Sequence, residues 1–180
     1  MPSDLSSFHV ITGGPGSGKS TLIEALAARG FHHMPEAGRA IIRDQVMIGG
    51  SALPWDDRTA FAELMLGWEL RSWHEARYLT GPVFFDRGIP DVLGYLRLCN
   101  LPVPAHVDEA AKQFRYHPRV FIAPPWQAIF TCDAERKQDF AEAVATYEAM
   151  VATYADLDYE LVTLPLATVG ERVRFVSELI

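Results

Sequence analysis

The stretch Gly13-Gly14-Pro15-Gly16-Ser17-Gly18-Lys19-Ser20 constrains this chain more than any other feature, because it satisfies Gly-x-x-x-x-Gly-Lys-Ser/Thr without adjustment. An apolar run, Phe8 to Thr12, leads into it. Leu22, Ile23 and Leu26 follow at helical spacing, so the reading is strand, glycine loop, helix. Successive glycines let a backbone turn its N–H groups inward, and the helix that begins there adds unpaired amides and the positive end of its dipole. Such a nest binds phosphate. In that arrangement residues 13–21, Gly13, Gly14, Pro15, Gly16, Ser17, Gly18, Lys19, Ser20 and Thr21, cradle a nucleotide. Lys19 reaches its β- and γ-phosphates and the Ser20 hydroxyl ligates Mg²⁺. ATP and Mg²⁺ are therefore the expected cofactors.

Strand and helix patterns alternate through the rest of the chain. A second short strand ends near Met34 before Pro35, and Ala40, Ile41, Ile42 and Val46 mark the next helix. Phe61, Met65, Trp68, Ala76 and Leu79 form a long helical stripe. Val83 to Asp86 and Arg119 to Ala123 are buried strands, with short helices at Pro90 to Leu98 and about Pro104 to Phe114 between them. A long helix is expected from Asp133 to Asp156, then a strand from Tyr159 to Leu164 and a last helix through Val169, Val173, Val176 and Ile180. Short apolar strands joined by helices require crossover connections. The fold class is therefore α/β: a three-layer P-loop NTPase with a mostly parallel five-stranded sheet and helices on both faces.

The 180 residues make one domain, 1–180, with acceptor-side helices about 37–115 and a lid about 126–140. A formal charge of −7 argues against a nucleic-acid partner, which needs a broad cationic surface. Phosphate binding does not conflict with it, since the nest rests on backbone dipoles, one lysine and a metal ion. The only cysteines, Cys99 and Cys132, have neither metal nor redox-pair spacing and read as reduced thiols. With no apolar window of membrane length and no signal-peptide pattern at the start, the expected address is the cytoplasm, with no membrane partner and a monomer or homodimer as the assembly.

Three further segments carry charge at what the pattern makes the ligand edge of the sheet. Phe84-Phe85-Asp86-Arg87-Gly88 ends a buried strand in adjacent opposite charges. Asp86 is a candidate Mg²⁺ ligand or acceptor-orienting group and Arg87 a neutraliser of phosphoryl charge; the alternative is a helix cap and a surface arginine. Pro35-Glu36-Ala37-Gly38-Arg39 offers Glu36 as general base, or as a cap of the helix it opens. Arg39 is a candidate for a substrate phosphate or carboxylate, or simply part of a solvated face with Arg43. Asp133-Ala134-Glu135-Arg136-Lys137 offers Arg136 and Lys137 as lid charges that close over the triphosphate, or as ordinary charges in a helix's first turns. Trp55, Trp68, Tyr95, Phe114 and Trp126 either stack on a flat acceptor or belong to the core.

On these residues, 13–21, 35–39, 84–88 and 133–137, the chain resembles the small P-loop kinase-like proteins grouped loosely with AAA-type ATPase domains, among them nicotinamide riboside kinases. The resemblance to nucleoside kinases implies that Glu36 is the base and that Asp86 with Arg87 corresponds to their acidic-Arg pair. Here Gly88 follows the pair, where deoxynucleoside kinases carry Glu-Arg-Ser, and the Asp-Gly-Phe-Pro-Arg segment of adenylate kinases is missing. The resulting expectation is an ATP-dependent kinase with catalytic residues Lys19, Glu36, Asp86, Arg87 and Arg136, metal ligands Ser20 and Asp86, and a small nucleoside- or nucleotide-like acceptor. The alternatives are an antibiotic- or sugar-modifying or toxin-type kinase, and an ATP-binding regulator or simple ATPase.

Overall fold

Every strand pairs in parallel, in the order β2-β3-β1-β4-β5, so each connection must cross a face of the sheet. The computed structural model describes residues 7–130 and 139–180. Its strands are β1 (Phe8–Gly13), β2 (His32–Met34), β3 (Val83–Asp86), β4 (Arg119–Ala123) and β5 (Glu160–Thr163). The helices are α1 (Lys19–Ala27), α2 (Ala37–Ile48), α3 (Arg58–Ala76), α4 (Ile89–Leu98), α5 (Ala105–Gln113), α6 (Phe140–Asp156) and α7 (Val169–Ser177).

The two-residue period of the central strands divides the core between two helical layers. Phe8 and Val10 of β1, Phe85 of β3 and Val120 and Ile122 of β4 face α3, α4, α5 and α6. Ile11, Phe84 and Phe121 point the other way, against Leu22, Ile23 and Leu26 of α1 and Val173 and Val176 of α7. Both faces are covered, which is why these strands read as continuous apolar runs. The edge strands β2 and β5 are short and partly exposed. Among the described residues, no helix is long and apolar enough to cross a membrane.

Two expected segments run beyond the described residues. The long helix is described from Phe140, the expected start Asp133 lying outside the described residues: Asp139 accepts from the Glu142 N–H at 2.8 Å while the Glu142 carboxylate accepts from the Asp139 N–H at 2.9 Å. Asp139 and Glu142, three apart, form the reciprocal cap that fixes this end. The lid segment 126–140 is described only in part: a short 3₁₀ turn covers Gln127–Ile129, and Arg136 and Lys137 lie outside the described residues.

Candidate active site

Parallel pairing brings the C-terminal ends of β1, β2 and β3 to one edge, where open α/β sheets hold their ligands. The glycine loop leaves β1 there and is held by its surroundings. A Cβ on Gly13 (φ +130°) would lie 2.3 Å from the Ala123 carbonyl oxygen of β4, and one on Gly14 2.3 Å from that of Ala143 in α6. From the other layer, the buried Arg172 of α7 donates from Nη1 to the Ser17 carbonyl and from Nε to the Pro165 carbonyl, each at 2.8 Å, with its guanidinium 4.9 Å over the Trp126 ring.

Within the loop, Lys19 is buried and donates from Nζ to the Gly14 carbonyl at 2.6 Å and to Ser17 Oγ at 3.3 Å. Gly18 (φ 80°) opens α1 with no side-chain cap and no acidic residue in the first turn, which leaves amide donors and the positive dipole end at the loop. Ser20 Oγ lies 3.5 Å from Asp86 Oδ2. A hydroxyl beside a carboxylate is a hard-oxygen set suited to Mg²⁺, which keeps most of its other positions for water and phosphate oxygens. The described residues contain no cluster of three or more His, Cys, Asp or Glu that would hold a metal by itself. The loop and the Ser20–Asp86 pair therefore fit a metal-bound nucleotide.

Beyond Asp86 the backbone turns sharply. Arg87 takes φ 75°, a left-handed conformation uncommon for a residue with a side chain, while its N–H continues the ladder to the Ile11 carbonyl at 3.1 Å. Its guanidinium bridges Glu36 Oε1 at 3.3 Å and Asp91 Oδ1 at 3.1 Å. The Glu36, Asp86 and Asp91 carboxylates hold Arg87 firmly protonated against the opposing effect of burial. The capping alternatives for Glu36 and Asp86 are both displaced. Glu36 occupies the N-cap position of α2 without a side-chain cap bond and pairs with Arg87 and, at 3.4 Å, with Arg39. At α4 the carboxylate that accepts the Gly88 N–H, at 2.9 Å, belongs to Asp91.

These groups open onto a cavity of ≈ 470 Å³ between α2, α3, α4 and α6. Pro15 of the loop, Glu36, Glu69, Arg87 and Asp91 are among its lining residues, and Trp55, Phe61, Met65, Tyr95 and Met150 supply apolar wall. The five aromatics considered from sequence divide accordingly. Trp55 and Tyr95 line the cavity, Trp126 lies under Arg172, Phe114 packs edge-on against Trp73, and Trp68 packs beside Ile41 and Ile42. Arg43 is solvent-exposed.

Sequence reading passed over three residues that the structure places here. Asp91, one helical turn beyond Arg87, also accepts from Thr12 Oγ1 and from the Tyr154 hydroxyl at 2.6 Å. Its spacing of four from Arg87 was the available signal. Arg172 interrupts the apolar face marked by Val169, Val173 and Val176. Glu69 sits in the stripe Phe61, Met65, Trp73 at the same four-residue spacing, and is 4% exposed.

A family model described as an AAA domain matches residues 8–172. The chain belongs to the AAA domain family. No curated protein sequence matches it. Among solved structures, this AAA domain is similar to deoxyadenosine kinase from M. mycoides, with a TM-score of 0.65 at 11% identity over 96% of this chain and 97% of that one. It is also similar to thymidylate kinase from Ehrlichia chaffeensis, with a TM-score of 0.63 at 13% identity over 96% and 97%. At such identities the likeness establishes the fold: the AAA domain has the three-layer, nucleoside/nucleotide kinase-like P-loop architecture.

Proposed function

We propose that this AAA domain is an ATP-dependent phosphotransferase that moves the γ-phosphoryl group to a hydroxyl of a small, nucleoside-like acceptor. One observation carries the reading: Pro15 of the glycine loop and the Glu36–Arg87–Asp91 bridge line a single cavity with apolar walls, and Arg87 follows directly on Asp86, the partner of Ser20. A nucleotide switch has no need of a second, substrate-sized chamber beside its phosphates.

The loop amides and Lys19 bind the triphosphate. Lys19, now turned onto Gly14 and Ser17, exchanges those partners for phosphate oxygens. Ser20 and Asp86 hold Mg²⁺, which supplies neutralisation of the phosphate oxygens when bound. The acceptor oxygen forms its bond to the γ-phosphorus as the bond to the bridging oxygen breaks; ADP leaves with that electron pair. Glu36 takes the acceptor's proton. Arg87, between Glu36 and Asp91, stabilises charge on the phosphoryl group in transit. We assign Arg136 to the same charge stabilisation, from the lid side.

The test is ATP consumption with and without a panel of hydroxylated metabolites, with product identified by mass. One acceptor class should stimulate turnover. Lys19→Ala should lower it by about a hundredfold or more in a protein that melts like the wild type. Glu36→Gln should lower transfer by a similar factor with ATP affinity retained. ATP turnover that no acceptor stimulates would mark a simple ATPase instead, and near-silence of Glu36→Gln would point to a phosphate as the acceptor group.

A further inference from the structure

Glu69 is the buried carboxyl for which the phosphotransferase chemistry has no use. It lines the cavity from the α3 face that also presents Phe61 and Met65 to it. It is 4% exposed, and among the described residues it makes no hydrogen bond and no ion pair. Arg87, the cation near it, is already shared by Glu36 and Asp91, and Arg58 at the cavity rim donates its Nε to the Pro54 carbonyl at 2.8 Å. A polar group buried without partners is costly, and it is retained where something else completes it.

We propose that Glu69 is the specificity-determining residue of the cavity and that it takes the acceptor by an amide-type edge: an N–H beside a carbonyl oxygen or ring nitrogen. The proposal rests on the phosphotransferase reading and names what that reading leaves open. A carboxyl that keeps its proton presents an O–H donor next to a C=O acceptor, the complement of such an edge. The surroundings hold that proton in place. Burial first, then the Asp91, Asp86 and Glu36 carboxylates, push Glu69 well above the usual carboxylate range, against the opposing pull of Arg87. The Tyr116 hydroxyl faces the same group, and burial keeps it neutral. The remaining walls suit a flat ring: Phe61 and Tyr95 meet edge to face at 5.5 Å, with Trp55, Met65 and Met150 about them. A phosphorylated acceptor is disfavoured, because carboxylates outnumber cations in the cavity lining, with Glu36, Asp91 and Glu142 against Arg58 and Arg87.

The experiment compares full-length wild type, Glu69→Gln and Glu69→Leu with four nucleosides (uridine, cytidine, adenosine and guanosine) and with ribose, which has no such edge. Binding is measured by calorimetry without nucleotide, and transfer by steady-state kinetics with Mg·ATP. Glutamine keeps one donor and one acceptor, so Glu69→Gln should hold KM for the preferred nucleoside within about threefold. Glu69→Leu should raise KM by about thirtyfold or more with kcat little changed, while melting no lower than wild type. Wild-type affinity should fall as pH rises through the Glu69 titration, and Glu69→Gln should be flat over the same range. Ribose should not bind. The inference is overturned if no nucleoside binds wild type, if Glu69→Leu behaves as wild type, or if Glu69→Gln is as weak as Glu69→Leu, which would mean a charged contact. Binding that depends on Glu69 but leads to no transfer would leave the contact standing and sink the phosphotransferase reading, so the two fail separately.

Discussion

Asp91 gathers donors from separate stretches of chain: Thr12 at the end of β1, the Arg87 side chain, the Gly88 backbone and Tyr154 in α6. A carboxylate has about four lone-pair sites, so this one is filled. Asp91→Asn would remove the charge facing Arg87 and set an NH₂ against groups that already donate. The expected loss is about 3 kcal/mol, or roughly 10 °C in melting temperature, since breaking a buried pair strands its partner. A melting curve indistinguishable from wild type would show that the network does not hold Arg87 in place. How far such residues can be read in advance depends on what surrounds them in the chain. Asp86 and Arg87 stand out because a strand of three fully buried residues ends in them. Glu69 has no such punctuation: apolar neighbours four residues away on either side make its helix look like plain core, and only the cavity in front of it gives the charge a purpose.

At the scale of elements, the contact that most depends on close approach is that of the glycine loop with α6. Gly14 needs no left-handed backbone. It is fixed by the Ala143 carbonyl, which any side chain would strike at 2.3 Å. Gly14→Ala should therefore push the first turns of α6 away from the loop, costing about 2 kcal/mol and weakening ATP binding together with stability. Loss of ATP affinity at an unchanged melting point would contradict this. Calorimetry beside thermal unfolding decides it. Strand and helix order is legible from apolar runs and spacing because each element buries one continuous face. Where α6 begins is less so: the apolar spacing that marks the helix does not fix its first turn, which the reciprocal cap of Asp139 with Glu142 does. What a helix touches beyond the sheet, as α6 touches Gly14, comes from tertiary packing and leaves no local trace.

Across the whole molecule, stability carries a pH dependence written into β1. His9, 3% exposed, packs 4.7 Å from the His117 ring and 5.7 Å from Phe84. Burial, then the nearby His117 and Arg119, bring its pKa down from 6.5 to about 4. The folded state therefore binds this proton less readily than the unfolded chain. Its contribution is fully present above pH 6.5 and is lost as pH falls towards 4, by about 3 kcal/mol over that window. Urea unfolding at pH 7 and pH 4.5 should show the loss, and His9→Phe should flatten the slope between them. An equally steep slope in that variant would assign the dependence to other groups.

The strand order also sets a timetable for synthesis. β1 is made first but lies in the middle of the sheet, and its neighbours, β3 and β4, come from far later in the chain, with Phe8 opposite Val83 and Gly13 opposite Ala123. At translation rates of roughly 5–20 residues per second, the apolar β1 waits on the order of ten seconds for its first partner. During that wait the glycine loop has no β4 carbonyl to rest against and no Arg172 to tie it down. Nucleotide can thus act as a folding ligand only on a nearly finished chain, and a growing one must be shielded by the ribosome or by chaperones.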